Sequence, residues 1–129
     1  MGPFTAMLNV PDPLNWTNAA SVTNLTRSSG QQITWTGGDP AGMVYISGFS
    51  FEGATVDALV GAGFVCVERT SAGQFTIPSI VLLSLPASSG PVGGTLSVGG
   101  GTFATFKASG LDQGVISSTN STSQSVTYQ

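Results

Sequence analysis

The sequence predicts an all-β fold, an immunoglobulin-like two-sheet sandwich of about eight or nine strands with one short helical turn near residues 79–85. Three observations predict it. Runs of roughly five to nine residues rich in Val, Ile, Thr and aromatics alternate with Gly, Pro, Asn and Asp clusters, the pattern of strands and turns. In the clearest runs apolar residues recur at every second position, which places them on one face of a strand. The 129 residues show no internal repeat and no second composition regime. Residues 1–129 therefore read as one domain, near the usual size of about 100–150 residues.

Taken in order, Phe4 to Val10 reads as a first strand, stopped where Pro11 and Pro13 deny ladder hydrogen bonds. Leu14 and Trp16 share a face of the next short segment, and Ser21 to Thr26 reads as a second strand. Gln31 to Thr36 alternates cleanly, with Ile33 and Trp35 on one side. Gly37, Gly38, Asp39 and Pro40 form a turn, since the glycines accept positive φ and Pro40 fits a corner. Met43 to Phe51 follows, with Val44 and Ile46 opposed by Tyr45, and Glu52 to Val60 carries no clean pattern. Gly63 to Thr70 sets Phe64 and Cys66 against Val65 and Val67; apolar on both faces, it reads as a strand in mid-sheet. Gln74 to Ile77 is a strand holding Phe75 and Ile77, and Ser79, a good N-cap, opens the helical turn between Pro78 and Pro86. Gly90 to Gly94 reads as a loop, Thr95 to Val98 as a short strand and Gly99 to Gly101 as a flexible turn. Thr102 to Ala108, Gly114 to Thr119 and Ser125 to Tyr128 complete the strands. The expected core is Trp35, Ile33, Val44, Ile46, Phe64, Cys66, Phe75 and Ile77.

Charged residues make up 7% of the chain, three basic and six acidic, against an average near 25%. Three cations cannot neutralise a run of phosphates, so nucleic acid and anionic membrane surfaces are excluded as partners. No apolar run approaches the roughly 20 residues of a membrane helix. Hydration rests instead on 17 Ser and 15 Thr. Disorder is excluded by the 40% hydrophobic content, because disordered chains combine low hydrophobicity with high charge. The chain has one cysteine and no histidine. No internal disulfide can form, and the commonest general base and metal ligand is missing. Cys66 reads as a small buried hydrophobe. Met1-Gly2-Pro3 has no signal-peptide character and reads as an added start before a domain excised from a longer secreted protein.

Several segments carry a resemblance. They are Phe4-Thr-Ala6, Leu14 to Asn18 (LNWTN), Thr34 to Pro40 (TWTGGDP), Val44 to Gly48 (VYISG), Phe64 to Cys66 (FVC), Gly73 to Pro78 (GQFTIP), Leu85-Pro86, Gly110 to Asp112 (GLD) and Val126 to Gln129 (VTYQ). Together they resemble the C-terminal immunoglobulin-like modules of uncharacterised secreted proteins from soil acidobacteria. The likeness spans nearly the whole chain, mostly in turn and core residues. It implies an extracellular β-sandwich and no catalytic residues.

The candidate chemistry is thin. There is no Gly-x-Ser-x-Gly elbow and no His to activate a nucleophile. The six acids, Asp12, Asp39, Glu52, Asp57, Glu68 and Asp112, are scattered, without the spacing of a glycosidase pair or a calcium loop. Lys107, the single lysine, lies in an expected strand between Phe106 and Ala108. A buried lysine there could form an intramolecular isopeptide bond; a snorkelling surface lysine is the plainer reading. The sequons at Asn15, Asn24 and Asn120 are what chance yields in a chain so rich in Ser and Thr. Trp16, Trp35, Tyr45, Phe49 and Tyr128 are the aromatics able to stack on sugars, with Tyr45 and Trp16 the leading ligand-binding residues and Trp35 assigned to the core. The function expected is a non-catalytic structural or adhesive module of a secreted or cell-surface protein, without metal or cofactor. Its partners would be surface glycans or other extracellular modules, with weak self-association because few charges guard the sheet edges. The alternative is a carbohydrate-binding module accessory to a hydrolase.

Overall fold

The computed structural model describes residues 2–129. It is a two-sheet β-sandwich of eight strands and one short helix. The strands are β1 (Asn15–Trp16), β2 (Asn24–Leu25), β3 (Gln31–Thr36), β4 (Met43–Glu52), β5 (Val60–Arg69), β6 (Gln74–Ile77), β7 (Gly94–Phe106) and β8 (Gly114–Tyr128); α1 spans Ser79–Leu83. A three-stranded sheet in the order β1-β3-β6 faces a five-stranded sheet in the order β2-β8-β7-β4-β5. All pairings are antiparallel except that of β2 with β8.

Alternation places the core between the sheets. Ile33 and Trp35 of β3, Val44 and Ile46 of β4, Ile77 of β6, Leu96 and Val98 of β7, and Val126 and Tyr128 of β8 all point inward and are buried. Leu14, Trp16, Val22, Leu25, Leu82 and Leu85 complete the buried core, each removal from water stabilising by about 1.5–3 kcal/mol. The two indoles sit opposite each other across the β1–β3 ladder. Their N–H groups are both satisfied, Trp16 donating to Asn18 Oδ1 and Trp35 to the Thr70 carbonyl, each at 2.8 Å. Phe64, Cys66 and Phe75 are half-buried against this core.

The structure corrects several expectations. Phe4 to Val10 joins no ladder; Phe4 instead stacks on Phe106 at 5.2 Å, laying the segment against the distal end of β7. Ser21 to Thr26 contributes only the two residues of β2. Gly99 to Gly101 are not a turn but the middle of a continuous β7, where Gly99 and Gly101 let the β8 backbone approach at Asn120 and Ser118. The polar run Asn120 to Gln124 does not break β8, because its inward amides replace apolar burial with hydrogen bonds to the N-terminal meander. Ser79 opens α1 but makes no side-chain cap; Pro78 holds the N-cap position and its carbonyl accepts from Val81 N–H. Lys107 lies just beyond β7 and is exposed, so the buried lysine that an isopeptide bond needs is absent at this position. β5 is an edge strand rather than a central one.

Candidate binding face

The outward face of the five-stranded sheet gathers the side chains best suited to contact a ligand. The β4 register sets Tyr45 opposite Gly99 of β7 and Val67 of β5, and Phe49 opposite Thr95 and Gly63. Tyr45 is 53% exposed and Phe49 49%. They sit four residues apart on one strand, about 13 Å along it. Phe103, farther along β7, is more exposed still.

The glycines of this face serve the rings. A Cβ on Gly63 would lie 2.5 Å from Cδ1 of Phe49, and a Cβ on Gly61 would strike the ring of Phe51. Each ring therefore leans across the ladder onto a glycine of the neighbouring strand. Around Tyr45 the same absence of side chains opens a groove of about 590 Å³, floored by Gly99 and Gly101 and walled by Tyr45, Met43, Phe103 and Thr119.

Beyond the groove the face turns to hydroxyls. The outward positions of β8 from Ser117 to Thr127 are Ser117, Thr119, Ser121, Ser123, Ser125 and Thr127, all exposed. Ser97 of β7 and Ser123 join them through a 2.6 Å hydroxyl contact. Apolar rings on β4 thus lie beside a field of neutral donors and acceptors on β7 and β8.

Asp39 is the single carboxylate lining the groove. Its Oδ1 accepts from Ala41 N–H at 2.9 Å and its Oδ2 from the Thr102 hydroxyl at 2.7 Å. The Thr102 hydroxyl and then the Ala41 amide hold its carboxyl below the usual value. It is tied into the turn and bridges that turn to β7. Burial pushes the Cys66 thiol up. Among the described residues no group of three His, Cys, Asp or Glu side chains is placed to hold a metal ion. Nor is any helix there long and apolar enough to cross a membrane.

Of the two leading ligand-binding candidates, Tyr45 lies on this face, whereas Trp16 is 5% exposed and belongs to the core. Trp16 pairs with Trp35 in the three-stranded sheet, and its inward side is the core side. Tyr128 is likewise fully buried, its phenol donating to the Thr95 carbonyl at 2.8 Å. Phe103, the glycine floor and the β8 hydroxyl row were not singled out by sequence reasoning. The period-two Ser/Thr pattern from Ser117 to Thr127 is the sequence signal for the hydroxyl row. No family model, curated protein or solved structure matches the chain.

Proposed function

We propose that this chain is a non-catalytic adhesive module of a secreted or cell-surface protein, immunoglobulin-like in kind, and that it binds through the outward face of its five-stranded sheet. The observation carrying this reading is the joint exposure of Tyr45 and Phe49 on one uncharged face beside the hydroxyl rows of β7 and β8. A non-catalytic role is supported by the groove itself. It holds one acid, both of whose oxygens are already engaged, and the chain has no histidine to act as a base.

The same observation favours a second, finer reading, a carbohydrate-binding module. A sugar ring has apolar C–H faces that rest on aromatic rings and equatorial hydroxyls that exchange hydrogen bonds with Ser and Thr. A neutral polysaccharide needs no charge from its binder, and this face supplies almost none. The experiment is a glycan array and a pull-down on insoluble polysaccharides, with wild type, Tyr45→Ala and Phe49→Ala. Wild type is expected to bind a neutral glycan, and each substitution to weaken binding about tenfold, or about 1.4 kcal/mol. Absence of binding to every glycan would remove the carbohydrate reading. Binding that survives both substitutions would remove this face.

A further inference from the structure

A second feature, bordering that face at Phe49, is the free edge of β5. Strands apolar on both faces normally lie inside sheets. Yet β5, with Phe64 and Cys66 inward and Val65 and Val67 outward, pairs only with β4 and ends the sheet. Val65 is 65% exposed and Val67 45%, while Phe64 and Cys66 stay half-buried against the core. Over Val60 to Val67 the strand carries no charge and no proline, the usual devices that blunt an edge.

The hydrogen-bond phase defines what this edge offers. Just past β5, Thr70 N–H donates to the Gly42 carbonyl, and on the other side of β4, Phe51 N–H donates to the Gly93 carbonyl. The β4–β5 register is unbroken from Val60 to Arg69. The backbone groups of Ala62, Phe64, Cys66 and Glu68 therefore turn to β4. Those of Gly61, Gly63, Val65, Val67 and Arg69 turn to the open side.

We propose that two copies of this chain pair through β5, antiparallel, about a two-fold axis at Val65. That centre is the one register giving every edge-facing residue from Gly61 to Arg69 a partner, for about ten main-chain hydrogen bonds. It opposes Val65 with Val65, Val67 with Gly63, and Arg69 with Gly61. On the outward side the ring of Phe49 already covers Gly63 and that of Phe51 covers Gly61. Val67 of each copy therefore meets the edge of Phe49 of the other, and Arg69 meets Phe51 in a cation–π contact. On the inward side Phe64 faces Cys66, covering the flank left half-open in one copy. Glu68 and Arg69 stand at the same end of the strand, and the antiparallel dyad keeps them away from their own counterparts.

Sedimentation velocity on the full chain from micromolar to millimolar concentration tests this. A monomer–dimer equilibrium is expected. Val65→Pro removes an edge-facing N–H without touching the β4 ladder, and Val65→Lys places a charge at the axis. Each should weaken dimerisation at least tenfold while the circular dichroism spectrum of the fold is kept; if the proline variant misfolds, the lysine variant alone carries the comparison. In a Cys66→Ser background, Val65→Cys should cross-link to a dimer with a short bis-maleimide and Val67→Cys should not, because Val65 faces its own counterpart across a hydrogen-bonded pair whereas Val67 faces Gly63. A monomer at every concentration, a dimer insensitive to Val65→Lys, or equal cross-linking at positions 65 and 67 would each overturn the proposal.

Discussion

Asn120 shows how a polar side chain can hold this fold together. Its Oδ1 accepts from Leu14 N–H at 3.2 Å and its Nδ2 donates to the Leu14 carbonyl at 2.9 Å, so one amide imitates a strand neighbour. Gln124, four residues further along β8 on the same face, donates to the carbonyls of Ala19 and Val22. These two side chains fasten the N-terminal meander to β8. Asn120→Ala should cost about 1–3 kcal/mol in chemical denaturation, because Leu14 loses both partners. At the opposite pole of the residue scale stands Tyr128, whose burial drives its phenol pKa well above the ordinary value near 10. The sign follows from which state ionises first. Below pH about 10 both states keep the proton and stability is whole; above it the unfolded chain ionises while the folded one does not, so stability falls. Melting curves between pH 8 and pH about 11 should show that loss, and Tyr128→Phe should flatten it at the expense of the bond to Thr95.

At the scale of the element, the glycines of the five-stranded sheet carry the most information. Replacing a strand glycine by alanine usually stabilises by about 0.5–1 kcal/mol. Gly63 should reverse that sign, because the new Cβ meets the Phe49 ring. We expect Gly63→Ala to destabilise by about 1–3 kcal/mol as the ring is displaced. Adding Phe49→Ala should recover most of the loss in a double-mutant cycle, since the two residues touch. The Ile33/Trp35 and Val44/Ile46 pairs were legible because alternation survives in any sandwich, whichever strands are neighbours. Their burial here follows from that period alone. The apolar run of β5 is legible as a strand but has the pattern of one in mid-sheet, because composition reports apolar faces and not what covers them. β8 looks like two strands in the sequence, because Asn120 and Gln124 look like loop residues until their partners at Leu14, Ala19 and Val22 are brought beside them.

At the scale of the whole molecule, this fold is stabilised by core packing and hydroxyl and amide hydrogen bonds, with charge almost absent. Stability should therefore change little between low and molar sodium chloride, apart from the general salting-in or salting-out of apolar surface. A thermal melt in the two salts checks it; a large drop in high salt would mean that ion pairs carry weight. The low charge also leaves long edges and aromatic surface unguarded, which is why both the proposed ligand face and the proposed dimer lie on the five-stranded sheet.

The sequence alone determined the all-β class, the eight-strand scale, the short helix after Pro78, the inward pairs of β3 and β4, and the absence of histidine chemistry. These depend on local period, turn residues and composition, which are properties of neighbours along the chain. Tertiary structure decided the rest. It set the order of the strands, the burial of Trp16 and Tyr128 against the exposure of Tyr45 and Phe49, the glycine floor beneath the rings, and the open edge of β5. Each of those depends on which strand lies beside which, and residues as far apart as Leu14 and Asn120 meet only when the sheets close over a common core.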